Sequence, residues 1–299
     1  MESWSFNPIV PAFPHTVFPN VALWNVSNRV DLNYQIQVSW PLEWTSQEVE
    51  STVLTMYVLD GNALGMTATE AFRRRKPVEP TQPDCIVVSI GYPLTDSVYS
   101  PQRAIDFQPP PPNGSVLQNS SGTPQPKAGA DDFIEFIDRT LRPFVRSTLF
   151  PNVTFKRDAL YGHSFGGLFV IYVLITQPKL FDTFLSASPA LFWNNGSLLD
   201  QIYRLETAPI GEIKPDFVIN YGTLEQFPIR RRTESEEAFQ ARKSLIEQFA
   251  MTDNCKELYQ RIASSSKLRD VVLKEYEGQD HSSVAASGIT DGIDFFVDW

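Results

Sequence analysis

The segment DALYGHSFGGLFVIYVLI, residues 158–175, admits few folds. A short apolar run enters a serine flanked by Gly162 and Gly166. An apolar stretch long enough for a helix leaves it, and Pro178 stops that helix. In a strand–turn–helix of this kind the hydroxyl of Ser164 stands exposed above the C-terminal edge of a sheet. The backbone beneath it is strained, and the helix N-terminus brings free N–H groups and a positive dipole end close by. The pattern G-x-S-x-G is weak alone; the strand before it and the helix after it give it meaning.

The remaining chain fits such a turn. YQIQVSW (34–40) alternates as a half-buried strand does, and STVLTMYVLDGN (51–62) and CIVVSIGYP (85–93) are nearly continuous apolar runs. Further strands are expected at 183–190, 216–223 and 269–278. Helical patterns fall at 131–146, with Pro143 expected to kink or shorten it, and at 166–177, 234–251 and 283–299. Strands alternating with helices imply an α/β fold with a mainly parallel central sheet and helices on both faces. With no composition break, a single domain spans 1–299. FQPPPPNGSVLQNSSGTPQPK (107–127) interrupts it as an irregular Pro-rich insertion, either a flap over a site or a tolerated excursion.

Composition narrows the function. A formal charge of −10 disfavours nucleic acid or an anionic membrane as partner. Basic residues cluster only locally, at Arg73–Lys76 and Arg230–Arg232, as solvated turns or as an anion-attracting rim. The N-terminus lacks the features of a secretory signal and no apolar run is long enough to span a membrane, so a cytoplasmic location is expected. Cys85 and Cys255 form neither a disulfide framework nor a metal site, and no metal or cofactor is expected.

A serine hydroxyl attacks only if a base takes its proton. The chain has three histidines. His15 lies in the irregular N-terminal segment, and His163 adjoins the serine, where side chains diverge. His281, in KEYEGQDHSSV, follows the final strand, where a base acting on Ser164 is expected. A carboxylate should orient it: Glu225, just beyond the strand-ending Gly222, with Asp253 and Asp280 as competitors and a Ser–His dyad as the remaining case. Oxyanion-binding N–H groups are expected at Phe165 and at Asn62, with Gly61 the second choice to Asn62. Arg103 and Asp106, in RAIDF, are either a surface ion pair or part of a substrate pocket.

Together YVLDGNAL, VVSIGYP, RAIDF, YGHSFGGLF, SASPALFW and EGQDHSSV resemble, in order and spacing, the esterase-D-like family of esterases, and within it the siderophore esterase branch. That branch includes bacterial enterobactin trilactone esterases and fungal triacetylfusarinine C esterases. The resemblance covers the chain from about residue 30 onward. It implies an α/β-hydrolase fold, no cofactor, and a small-molecule ester substrate, a ferric siderophore of the triacetylfusarinine C type. It maps the nucleophile onto Ser164 and the base onto His281, and offers Trp193 as an aromatic pocket wall. The competing reading is a carboxylesterase, thioesterase or acyltransferase of secondary metabolism using the same residues.

Overall fold

The computed structural model describes residues 4–10, 19–28, 30–111 and 128–298. His15 and all but the first few residues of the Pro-rich 107–127 segment lie outside them. Two compact units arise by contact: Met1–Phe107, Gly129–Tyr161 and Ile289–Trp299 in one, Gln108–Ala128 and Gly162–Gly288 in the other.

The first unit holds β1 (Ser5–Val10), β2 (Val21–Ser27), β3 (Asn33–Ser39), β4 (Thr52–Leu59), α1 (Gly61–Arg75), β5 (Asp84–Gly91), α2 (Arg103–Asp106), α3 (Ala130–Phe136) and most of β6 (Thr154–His163). Its strands lie in the order β1-β2-β3-β5-β4-β6. Pairing is antiparallel from β1 to β5 and parallel across β5-β4-β6, with Tyr57 opposite Val88 on one side and Leu160 on the other. Parallel neighbours need a crossover, and α1 supplies it between β4 and β5. Val53, Met56, Val58, Ile86, Val88 and Ile90 are all fully buried, which is why these strands read as continuous apolar runs.

The helix expected at 131–146 does not shorten at Pro143. It begins as α3 and continues through π-helical turns at Ile137–Leu141 and Phe144–Leu149. Proline lacks an N–H and crowds the preceding turn; wider turns on either side relieve both problems. Arg142 and Arg146 on this segment donate to the buried carboxylate of Asp158.

The second unit holds α4 (Phe165–Thr176), β7 (Thr183–Ala187), α5 (Arg204–Thr207), β8 (Asp216–Gly222), α6 (Glu236–Glu247), α7 (Met251–Ile262), β9 (Val271–Tyr276) and the first part of α8 (His281–Asp298). Its strands β7, β8 and β9 pair in parallel. Every residue of α4 from Gly166 to Ile175 is buried, so the helix has no polar face. The helix expected at 234–251 is α6, which ends at Glu247; a further helix not expected from the sequence, α7, starts at Met251 directly after Ala250, whose left-handed φ of 45° separates it from the segment before. Among the described residues no helix is long and apolar enough to cross a membrane.

Candidate active site

Ser164 follows β6 and caps α4 with φ 60° and ψ −118°, a backbone geometry that L residues rarely adopt. Such strain costs on the order of 1–3 kcal/mol and persists only where the surroundings over-determine it. Here they do. The Ser164 N–H donates to the Ala187 carbonyl at 2.9 Å, and the Ala190 N–H donates back to the Ser164 carbonyl at 3.0 Å. Gly162 completes the turn by having no side chain: a Cβ there would stand 2.3 Å from the Gly166 carbonyl oxygen.

His281 opens α8, and its Nδ1 lies 2.5 Å from Oε2 of Glu225. Glu225 sits in a 3₁₀ turn, Thr223–Glu225, directly after β8. Its other oxygen, Oε1, accepts from the Gly222 N–H at 2.7 Å and from the Ser188 hydroxyl at 2.6 Å. The carboxylate is thus buried yet fully engaged, with Oε2 left for the imidazole. Gly222 permits the tight approach, since a Cβ would fall 2.2 Å from the Gln279 carbonyl.

The two competing acids are occupied otherwise. Asp280 accepts from the Ser283 N–H at 3.0 Å and the Ser283 hydroxyl at 2.9 Å, and so caps α8. That backbone N–H holds its carboxyl below the usual range. Asp253 exchanges hydrogen bonds with the Gln226 side chain, accepting at 2.6 Å and donating its N–H at 3.1 Å.

Ser164, Glu225 and His281 line one cavity of about 720 Å³. Phe192, Leu224, Ile229, Ile246, Phe249 and Met251 give it apolar walls, and Arg230, Arg231, Arg232 and Arg242 give it cations. Phe192 stacks on Phe249 with ring centroids 4.5 Å apart. The ring of His163, itself buried, lies 4.3 Å from that of His281.

A family model described as "Putative esterase" matches residues 27–258. The chain belongs to that family. A siderophore enterobactin esterase of Emericella nidulans is 42% identical to this esterase over 99% of the chain and 98% of the relative. A siderophore triacetylfusarinine C esterase of Aspergillus fumigatus is 36% identical, with 94% of each covered. The solved siderophore hydrolase EstA from Aspergillus nidulans superposes with a TM-score of 0.86 at 40% identity, over 97% of this chain and 98% of that one. The fold is therefore that of the α/β hydrolases, with a mostly parallel sheet and flanking helices.

Phe165 is the first residue of α4, so its N–H belongs to the helix end behind Ser164. In the first unit, Asn62 is the second residue of α1, where its side chain bridges the Tyr92 backbone, accepting from its N–H at 2.7 Å and donating to its carbonyl at 3.0 Å. Gly61 opens that helix, packed where a Cβ would meet the Ser89 carbonyl carbon at 2.9 Å. Arg103 forms a bidentate pair with the buried Asp60 at 2.7 and 2.8 Å and lies over the rings of Tyr99 and Phe107. Asp106 is 2% exposed and accepts from Tyr92 and Gln102, so its carboxylate ties α2 to the residue that follows β5 inside its unit.

In the cavity the aromatic wall is Phe192 rather than its neighbour Trp193. Ser188 was invisible to sequence reasoning, although it follows a strand in SASPA and takes φ 43°. The contribution of Ile246 and Phe249 was equally hidden.

Proposed function

We propose that this esterase hydrolyses the ester bonds of a siderophore through an acyl-enzyme on Ser164. The observation that carries the reading is the strained Ser164 sharing a cavity with an imidazole whose Nδ1 is held by Glu225. Fixing Nδ1 as the nitrogen that donates to the carboxylate leaves Nε2 to take the serine proton. The serine oxygen then adds to the ester carbonyl, and N–H groups at the start of α4, Phe165 foremost, meet the developing oxyanion. Collapse breaks the C–O bond, and the imidazolium returns the proton to the departing alkoxide. Water repeats the sequence, releasing the acid and restoring the serine. Glu225, held to Nδ1, stabilises the charged imidazole.

The substrate class rests on the relatives' names and on the shape of the site. A volume near 720 Å³ lies in the range of sites that enclose sizeable small molecules. Aromatic and aliphatic walls suit a bulky chelate. The test is product analysis by mass spectrometry with ferric enterobactin and ferric triacetylfusarinine C in turn. Successive addition of water to either, absent with Ser164→Ala, supports the reading. An unchanged siderophore beside rapid cleavage of a simple aryl ester would remove the siderophore and leave a general carboxylesterase.

A further inference from the structure

The cavity beside Ser164 carries more positive charge than the molecule around it. The chain has a formal charge of −10, which repels an anion at a distance. Yet Arg230, Arg231, Arg232 and Arg242 all line this one cavity.

Their surroundings differ. Arg242, on α6, holds Glu234 in a two-point pair at 2.7 Å, and that contact pulls the Glu234 carboxyl down to about 2. The same guanidinium bonds the Ile229 carbonyl, and the Arg231 N–H donates to Glu234 at 3.1 Å, so the pair clamps the 229–234 loop. Arg230 has Glu236 at 3.9 Å. Among the described residues, the Arg231 and Arg232 guanidiniums have no hydrogen bond and no ion pair. Of the carboxylates that also line the cavity, Glu225 is committed to His281 and Asp280 to the cap of α8, with the Arg231 charge near enough to Asp280 and to Glu234 to help hold both carboxyls low. Arg231 and Arg232 are exposed at the rim, and the clamp fixes the loop that carries them.

We infer that Arg231 and Arg232 select substrate by net charge, so that this esterase takes the iron-loaded form of a catecholate siderophore in preference to the metal-free form. This rests on the siderophore reading given above. Catechol hydroxyls are weak acids of the phenol type, and a metal-free catecholate siderophore keeps them largely protonated and near neutral. Ferric ion displaces those protons, because a metal binds the deprotonated ligand. Held by catecholates alone, it leaves a trianion; held by hydroxamates alone, it leaves a neutral complex. Guanidiniums fit the first case doubly: they bond anionic oxygens in pairs and they stack on aromatic rings, while Phe192 and Phe249 supply apolar contact.

The experiment compares kcat/KM of the full chain on ferric and metal-free enterobactin, with product read by mass spectrometry. The wild type is expected to favour the ferric form by roughly tenfold or more at low ionic strength. That ratio should fall toward unity as salt shortens the Debye length from about 30 Å at 0.01 M to about 3 Å at 1 M. It should fall likewise in the Arg231→Gln/Arg232→Gln double variant, chiefly through KM, with circular dichroism showing the fold retained. Equal or faster cleavage of the metal-free form, or a double variant that lowers both forms alike, overturns the charge selection and leaves siderophore hydrolysis standing. Cleavage of neither form, with ferric triacetylfusarinine C still hydrolysed, also overturns it. Cleavage of no siderophore at all defeats both readings together.

Discussion

Nδ1 of His281 meets Oε2 of Glu225 at 2.5 Å across 56 residues of chain. The relationship is built from both sides. A glycine at the end of β8 lets a tight turn bring the carboxylate in, and the first residue of α8 presents the imidazole to it. The acid role therefore has a structural candidate, and it can be tested against its rivals.

Glu225→Gln keeps the shape but replaces the carboxylate with an amide that cannot stabilise an imidazolium. A loss of kcat on the order of a hundredfold or more is expected, with KM little changed. Asp253→Asn should stay within a few-fold of wild type. Asp280→Asn should cost about 1 kcal/mol of stability or less through the α8 cap. Steady-state kinetics and denaturant titration of the three variants check the ordering; a Glu225→Gln variant at wild-type rate would return the site to a dyad.

Ser188 orients that carboxylate. Its hydroxyl and the Gly222 N–H both bond Oε1, which leaves Oε2 for the imidazole. Removing the hydroxyl under-satisfies a buried anion at a cost of about 1–3 kcal/mol. Ser188→Ala should lower kcat by roughly tenfold. Ser188→Gly relieves the positive φ but equally lacks the hydroxyl, so a similar kcat loss in both variants separates hydrogen bond from backbone strain.

Gly162→Ala forces a Cβ to within 2.3 Å of the Gly166 carbonyl oxygen, backbone that has no room to yield. The turn must open, and Ser164 loses its place. Activity should vanish and stability should fall by about 3 kcal/mol or more. Urea titration beside an activity assay reads both; a stable, active variant would show that the turn does not depend on this approach.

How much of this was legible in the sequence depends on the range of the forces involved. The strand–turn–helix at 158–175 could be read because local sterics write it, in glycines and apolar runs. His281 and Glu225 could be proposed because chain order limits where a partner returns. Helix α1 escaped notice: GNALGMTATEAFRRR opens with two glycines in five residues and has little apolar face. β1 and β2 hid in a segment rich in proline and asparagine. Ser188 and Phe192 were illegible for another reason. A serine 37 residues from the carboxylate it serves, or one of two adjacent aromatics facing a cavity, is decided by tertiary approach alone.

Asp106 predicts a pH effect on stability. Burial raises its carboxyl from 3.8 to about 6 in the folded protein, against the pull of hydrogen bonds from Gln102, Tyr92 and Tyr34. The folded state therefore holds this proton more tightly than the unfolded chain does. Its contribution is full below about pH 4 and is lost as pH rises through about 6. Above that window the ionised carboxylate costs about 3 kcal/mol. Asp106→Asn removes the titration, so relative to wild type the variant should gain about 2–3 kcal/mol between pH 4 and pH 7.5. Urea titrations of both proteins at the two pH values measure the difference; a constant offset would contradict the shift.

Whether one serine carries the ester chemistry is read by a fluorophosphonate titration followed, in one sample, by peptide mapping and by siderophore hydrolysis. A single modified residue, Ser164, is expected, with hydrolysis that falls in proportion to its occupancy and reaches zero at full labelling. Hydrolysis that survives complete modification of Ser164, or label on another residue tracking the loss, would place the chemistry elsewhere.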